Sequence, residues 1–306
     1  MAEVERVQRE QVRFRSGADE CAAWFYPGSN GGCVVMAGGF AVPKEPGTDL
    51  FAGRFHEAGF SVLAFDYRGL GGSGGTPHLV LPVRDQLADW DAALAFASGL
   101  RGVDPGKLAV WGFSASAGHV LRVATDHPEL AGAIAQTPLV DGPTATLLAA
   151  KHQRPGAMAR FTAMGILDGL AGLVGREPIL LPLAGEPGVP AMITSPDGRD
   201  AERALDPDGR HVHWRRAAAA RSSLALGFYR PGRAAGRVRS PLLVLVCDDD
   251  QVTPVGSALR AAARAPRGEL FRIPGGHYEP FLDGHDRAVE AQLSFLTRHL
   301  LIDGQP

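Results

Sequence analysis

The amino-acid sequence predicts an α/β protein built on a mostly parallel, doubly wound sheet, and two patterns predict it. Short apolar runs of the length of buried strands recur along the chain. Stretches with helical periodicity separate these runs, and the stretch 85–100 carries Leu87, Trp90 and Leu94 on one face. Strands that alternate with helices pair in parallel, and the helices then cover both faces of the sheet. The apolar runs are residues 33–36, 60–65, 108–111, 133–135 and 242–246.

The first part of the chain departs from this alternation of strands and helices. Residues 11–26 alternate polar and apolar side chains and turn at residues 16–19, which read Ser-Gly-Ala-Asp. We therefore expect an antiparallel hairpin at one edge of the sheet.

Between Val140 and Arg239 the alternation lapses. This stretch holds helical apolar patches at residues 145–150 and 161–174, and its loops are rich in proline and glycine. The patches are too apolar to face water on all sides and too short to span a bilayer, so they need another surface to pack on. Residues 141–238 are therefore expected to form a separate unit that packs on the rest of the chain.

Composition excludes several classes of protein. The chain has 306 residues, of which 45% are hydrophobic and 21% charged, enough for one large core and an insertion. Its formal net charge is -2, so neither nucleic acid nor a membrane is an expected partner. Cys21, Cys33 and Cys247 are widely spaced, which is typical of reduced thiols. The segment from Met1 to Arg6 is charged where a signal peptide is apolar, so we expect a cytoplasmic protein. The sequence leaves open whether the protein forms a homodimer.

One serine stands in a strand-to-helix turn. Gly112-Phe113-Ser114-Ala115-Ser116 follows the apolar run 108–111 and precedes a helical pattern. A turn this tight needs small residues two positions either side of its centre, and it leaves the central hydroxyl exposed. Gly112 and Ser116 meet that requirement, so the segment is typical of a nucleophile elbow with Ser114 at its tip.

An acid and a histidine follow in later segments, each after a predicted strand. Asp248, Asp249 and Asp250 follow the run 242–246, and His277 follows residues 269–274 and two glycines. A serine needs a base within hydrogen-bonding reach, and the base needs an acid that holds its tautomer. His285 is the main rival of His277, but it opens a helical pattern. The alternation of the strand has ended before the three aspartates, so their positions alone do not choose among them.

The chain order of the serine, the acid and the histidine, and the strand before each of them, resemble the pattern of one superfamily. Serine, then acid, then histidine, each after a strand, is the order of the α/β-hydrolases, and the chain resembles their capped serine esterases of the dienelactone-hydrolase-like kind over nearly its whole length. The resemblance implies the α/β-hydrolase fold with a core domain of residues 1–140 and 239–306 and a helical cap, or lid, of residues 141–238. It also implies that Asp250 is the triad acid, because Val252 and Pro254 follow at the family's spacing, with Asp249 second. Some relatives take the acid from the preceding strand, which leaves Asp141 as an outside candidate.

A tetrahedral intermediate needs two donors for its oxyanion. The backbone N–H of Ala115, directly after the nucleophile at a helix N-terminus, is expected to be one of them. The resemblance assigns the other to the loop after the third strand, where Phe40 is the expected donor and Gly39 the second choice. Many relatives have a histidine at the position of Gly38, and this chain lacks it.

The function we expect from this resemblance is a cytoplasmic, cofactor-independent serine hydrolase with no metal. It would cleave an ester or thioester of a small to medium, largely apolar acyl substrate through an acyl-enzyme. The alternatives are acyl elimination or transfer, and carbon–carbon bond hydrolysis, by the same triad. A peptidase and a non-catalytic ligand-binding protein are less favoured alternatives. Fold alone does not choose among these reactions.

Substrate contacts are expected from the cap and from the residue beside the nucleophile. Phe113, Phe161 and Met164 are the predicted substrate-binding residues, and other apolar residues of the cap, such as Ile166 and Leu167, are candidates for the pocket wall. Residues 141–238 are predicted to select the substrate and to contribute nothing to bond breaking itself.

Overall fold

Strands and helices alternate along most of residues 9–302, the part of the chain that the computed structural model describes. The strands are β1 (Glu10–Ser16), β2 (Asp19–Tyr26), β3 (Cys33–Ala37), β4 (Ser61–Phe65), β5 (Leu108–Phe113), β6 (Gly132–Gln136), β7 (Leu180–Pro182), β8 (Ala217–Ala219), β9 (Leu242–Cys247) and β10 (Gly268–Ile273). The helices are α1 (Lys44–Glu57), α2 (Val83–Ser98), α3 (Ala115–Asp126), α4 (Gly142–Ala150), α5 (Pro155–Leu173), α6 (Asp200–Leu205), α7 (Ala220–Leu226), α8 (Val255–Arg264) and α9 (His285–Leu296).

The main sheet confirms the predicted fold class. Its strands run in the order β1-β2-β4-β3-β5-β6-β9-β10. β1 pairs antiparallel with β2, and β2 pairs antiparallel with β4. The remaining neighbours in this order, β4-β3-β5-β6-β9-β10, all pair in parallel. Ser16 pairs with Asp19, so the hairpin closes over two residues, and Gly17 takes the positive φ of 57° that such a turn requires.

The core lies on both faces of this sheet, because successive side chains of a strand point to opposite faces. On β5, Val110 joins the apolar cluster on one face, and Ala109 and Trp111 join the cluster on the other. A strand buried on both faces has no polar alternation, which is why the strands appear as continuous apolar runs. The carboxyl ends of the parallel strands meet at one edge of the sheet, where loops carry the candidate site residues.

The stretch between β6 and β9 contains α4, α5, α6 and α7 and a small antiparallel sheet of β7 and β8. The two predicted helical patches fall within α4 and α5. The small sheet was not predicted, because strands of three residues such as Ala217–Ala219 are too short to show alternation. Gly165 allows α5 to approach α7, since a Cβ there would lie 2.8 Å from Cβ of Leu224. The division into a core and a cap stays a prediction.

Two further observations concern the surroundings of the protein. Within residues 9–302, no helix combines the length and the apolar character that a membrane span requires. Cys21, Cys33 and Cys247 are buried and free. The prediction made from the segment between Met1 and Arg6 lies outside the described residues.

Candidate active site

Ser114 occupies a strained turn between β5 and α3. Its φ of 57° and ψ of -113° lie outside the regions that residues with a side chain ordinarily adopt. The turn brings residues on either side of the serine into contact, because a Cβ on Gly112 would lie 2.6 Å from the carbonyl carbon of Ser116. A side chain at position 112 would collide with Ser116, and the elbow pattern predicts a small residue at this place.

His277 lies between Ser114 and Asp250. Its Nε2 is 3.0 Å from Oγ of Ser114, and its Nδ1 is 2.7 Å from Oδ2 of Asp250. Both residues are buried, with 1% of the surface of His277 and 8% of the surface of Asp250 exposed to solvent. An ionised carboxylate only accepts hydrogen bonds, so Nδ1 carries the ring proton and Nε2 accepts from the serine hydroxyl.

The carboxylate of Asp250 is held on both oxygens. Oδ1 accepts the backbone N–H groups of Val252 at 2.8 Å and Thr253 at 2.7 Å, and Oδ2 accepts the Thr253 hydroxyl at 2.7 Å. Together with His277, four donors fix its orientation. This arrangement favours Asp250 as the partner of the histidine.

The rival residues lie elsewhere. Asp248 forms an ion pair with Arg272 at 2.8 Å, and Asp249 is exposed to solvent. Asp141 accepts the Thr144 hydroxyl in the first turn of α4. His285 begins α9, where its Nδ1 lies 3.1 Å from the Pro280 carbonyl.

The loop after β3 presents backbone N–H groups next to the serine. Val42 N–H donates to the Gly39 carbonyl at 3.1 Å, and in a trans peptide the N–H of Phe40 then points the opposite way. Among the described residues, Phe40 N–H donates no hydrogen bond. Gly39, Phe40 and Ala115 all line the cavity that contains Ser114. These N–H groups could therefore face an oxyanion.

A buried chain of hydrogen bonds supports this loop from behind, and sequence reasoning missed it. Trp90 Nε1–H donates to the Tyr67 hydroxyl at 2.9 Å, Tyr67 donates to Ser116 Oγ at 2.6 Å, and Ser116 donates to the Gly38 carbonyl. The serine at the second small position of the elbow thus anchors the loop after β3 through the Gly38 carbonyl.

A cavity of about 1060 Å³ opens above Ser114, lined by the sheet edge and by the stretch between β6 and β9. Phe113 and Phe161 line it as expected. Met164 is not among the residues that line it, whereas Met158, on another face of α5, is. The role of Met164 in substrate binding stays a prediction. Ile166 and Leu167, which were candidates for the pocket wall, face solvent with 53% and 58% exposed.

Two residues of the stretch between β6 and β9 contact the site directly, and no pattern in the sequence predicted either. Asp197 Oδ2 accepts the backbone N–H groups of His277 and Gln251, both at 2.9 Å. Trp214 Nε1–H donates to the carbonyl of Ala41, in the loop after β3, at 2.9 Å.

The phenol of Tyr278 lies near the same carboxylates. Its burial raises its pKa most, and the negative charges of Asp250 and Asp197 raise it further, so this side chain stays neutral at physiological pH.

No group of three or more histidine, cysteine, aspartate or glutamate side chains within residues 9–302 is arranged to hold a metal ion. The prediction that the protein needs no cofactor stays a prediction.

Known proteins resemble this chain in sequence and in fold. A family model described as serine aminopeptidase, S33 matches residues 31–284. The quorum-quenching protein AidA of Acinetobacter baumannii is 33% identical over 291 residues, which are 94% of each chain. The thiohydrolase aneE of Aspergillus aculeatus is 30% identical over 167 residues, covering 54% of this chain and 51% of its own.

A solved structure shares the fold. The α/β hydrolase GrgF from Penicillium superposes with a TM-score of 0.81 over 96% of this chain and 99% of that chain, at 23% identity. A Penicillium protein named polyketide transferase grgF is 28% identical over 166 residues, covering 54% of this chain and 53% of its own.

Proposed function

Because the chain belongs to the serine aminopeptidase S33 family of α/β-hydrolases, we propose that it is a serine hydrolase that cleaves an ester or thioester of a largely apolar, small to medium acyl group. The observation that carries this proposal is the hydrogen-bonded series Ser114, His277 and Asp250 at the base of an apolar cavity. Each of the three groups has the neighbour that its role in acyl transfer requires.

Acylation begins at Ser114. Its Oγ attacks the acyl carbon while Nε2 of His277 takes the hydroxyl proton, and the Asp250 carboxylate stabilises the imidazolium that forms. The N–H groups of Ala115 and Phe40 stabilise the oxyanion, and the dipole of α3 adds to the effect of Ala115. The imidazolium then protonates the leaving alcohol or thiol as the bond to the acyl carbon breaks.

Deacylation repeats these steps with water. Nε2 of His277 accepts a proton from the water as its oxygen attacks the acyl carbon, and the same two N–H groups hold the second oxyanion. Proton return to Oγ of Ser114 releases the carboxylic acid and restores the starting state.

The acyl group is assigned to the cavity. Its wall above Ser114 carries apolar side chains, among them Phe113, Leu147, Met158, Phe161 and Ile193. Each buried methylene stabilises the complex by roughly 0.8 kcal/mol, so a longer acyl chain gains affinity until the cavity is full. The thiohydrolase name of one relative supports including thioesters among the substrates.

Covalent labelling tests the proposal. A fluorophosphonate should add one label per chain to the native protein, and Ser114→Ala should abolish both labelling and turnover while the circular dichroism spectrum is unchanged. Ser73→Ala is the matched control, because Ser73 is buried in another loop. The Ser73→Ala variant should be labelled to the same extent as the native protein. Labelling that persists in Ser114→Ala would refute the assignment.

The reaction class needs a second experiment. The substrates are p-nitrophenyl esters of increasing chain length, acyl thioesters, acyl lactones and an aminoacyl p-nitroanilide at equal concentration. We expect the esters or thioesters to be turned over faster than the anilide. Faster cleavage of the anilide would instead favour the peptidase reaction that the family description names.

Acyl transfer is the second candidate, favoured by the transferase name of one relative. It differs from hydrolysis only in the nucleophile that attacks the acyl-enzyme, so Ser114, His277 and Asp250 keep their roles. Adding a primary alcohol during turnover separates the two reactions. A new ester formed in excess over free acid would favour transfer.

A further inference from the structure

One carboxylate joins the loop that carries Asp250 to the loop that carries His277. Asp197 lies in a short 3-10 turn, Pro196–Arg199, far from both loops in sequence. A single oxygen, Oδ2, accepts Gln251 N–H and His277 N–H, both at 2.9 Å. Only 6% of Asp197 is exposed.

These contacts begin where the pairing of the strands ends. The last residue pair of β9 and β10 is Cys247 and Ile273. Two more backbone bonds follow, from Asp248 N–H to the Ile273 carbonyl and from Asp249 N–H to the Gly275 carbonyl, both at 2.9 Å. Beyond that point the two loops share no backbone hydrogen bond among the described residues. Past these bonds, the Asp197 carboxylate accepts one N–H group from each loop, that of Gln251 and that of His277.

The chain is shaped to admit this carboxylate. A Cβ on Gly276 would lie 2.9 Å from Oδ1 of Asp197, a distance that such atoms essentially never show. The glycine directly before His277 thus allows the close approach of Asp197. Leaving a buried carboxylate without its hydrogen-bond donors is energetically costly. The contact with Asp197 therefore fixes the distance between the two loops.

We propose that Asp197 is a positioning residue for the proposed hydrolase reaction: it sets the His277 backbone relative to Asp250 and thereby the imidazole relative to Ser114. This inference rests on the proposed function. It also changes the role expected of residues 141–238, because one of their side chains acts on the reacting groups through the backbone of His277 rather than through the substrate.

Asp197→Leu and Asp197→Asn test the proposal. Leucine branches at Cγ as aspartate does but accepts no hydrogen bond, whereas asparagine keeps one oxygen that can accept both N–H groups. Misplacing reacting groups by about 1 Å can cost about 100-fold in rate. We expect Asp197→Leu to lower kcat for p-nitrophenyl acetate by about 10- to 100-fold with KM within about threefold, and Asp197→Asn to recover at least about threefold of that loss.

The labelling rate with an ethyl fluorophosphonate separates placement from substrate binding. It should fall in Asp197→Leu by the same factor as kcat, because this small probe does not fill the cavity. Asp208→Ala is the matched control: it removes a largely exposed carboxylate from the same stretch and should leave both rates unchanged. Thermal melting checks that each variant is folded, and Asp197→Ala is measured by the same criteria if Asp197→Leu does not fold.

The outcomes distinguish the two proposals. A folded Asp197→Leu variant with native kcat and labelling rate, or with only KM changed, would overturn the role of Asp197 and leave the hydrolase intact. Equal loss in Asp197→Leu and Asp197→Asn would also overturn it, since the retained oxygen would then have no effect. A native protein that is not labelled at Ser114 would instead refute the proposed function.

Discussion

Replacing Asp250 by asparagine tests the proposed reaction most sharply, because the surroundings of this carboxylate dictate how the amide must sit. Oδ1 accepts two backbone N–H groups, from Val252 and Thr253, and an amide NH2 in that place would face two donors. The amide oxygen must therefore take the Oδ1 position, and the NH2 must take the Oδ2 position next to His277.

The consequence falls on the tautomer of the histidine. With an NH2 group 2.7 Å away, Nδ1 of His277 must accept, so the ring proton moves to Nε2, the atom 3.0 Å from Ser114 Oγ. Nε2 then cannot take the proton of the serine. Loss of the correct tautomer costs on the order of 10⁴-fold in kcat in triads of this kind, or about 5 kcal/mol of transition-state stabilisation.

The assay is kcat/KM for p-nitrophenyl esters at pH 7.5, with the concentration of folded protein taken from the thermal melting amplitude. Asp249→Asn is the matched control, since it makes the same chemical change at the neighbouring, exposed position and should retain native activity. If Asp250→Asn keeps more than about a tenth of native activity, or if Asp249→Asn is the damaging change, the tautomer argument is refuted.

Three further predictions concern the anchor of the loop after β3, the cavity and a buried histidine. Ser116→Ala leaves Tyr67 and the Gly38 carbonyl without their shared partner, so the free energy of unfolding in urea should fall by about 1–3 kcal/mol; an unchanged value would contradict the role of this chain of hydrogen bonds. Phe161→Ala should shift the preferred acyl chain length, whereas Leu170→Ala, on the exposed side of α5, should not; a parallel effect of both would place the acyl group elsewhere. Burial lowers the pKa of His119 to about 3, so its contribution to stability is present above the unfolded-state pKa of about 6.5 and is lost progressively as pH falls below it. Between pH 6.5 and pH 5 the native protein should therefore lose about 1.6 kcal/mol more of its free energy of unfolding than His119→Gln, and equal losses would contradict a buried neutral imidazole.

Residues that follow a strand could be recognised from the sequence because parallel strands deliver their carboxyl ends to one edge. Ser114 was identified from the small residues around it, and the structure shows why: a Cβ at Gly112 would collide with Ser116. His277 was predicted from its place after a strand and two glycines. Asp250 was predicted with the help of a family spacing, since the alternation that orients side chains stops where a strand stops. Their distances to each other depend on loops with no periodic pattern.

The stretch between β6 and β9 shows where prediction from sequence failed. Periodicity located α5, but it did not say which side of that helix faces the cavity. Met158, which lines the cavity, was missed, whereas the predicted Met164 is not among the lining residues. All sides of α5 carry apolar residues, so its pattern has no unique buried face. The orientation is decided by the close approach at Gly165 to α7, which is a contact between distant segments.

The sequence by itself determined the strands of the main sheet, their alternation with helices and the position of the elbow, because these follow from local periodicity and from the size of residues 112–116. Only the tertiary structure decided which groups surround Ser114 and His277. Asp197 reaches the N–H of His277 across 80 residues, and Ser116 reaches the Gly38 carbonyl across 78. A single hydrogen bond between such distant residues leaves no repeating pattern in the sequence, since one side chain and one backbone group suffice to make it.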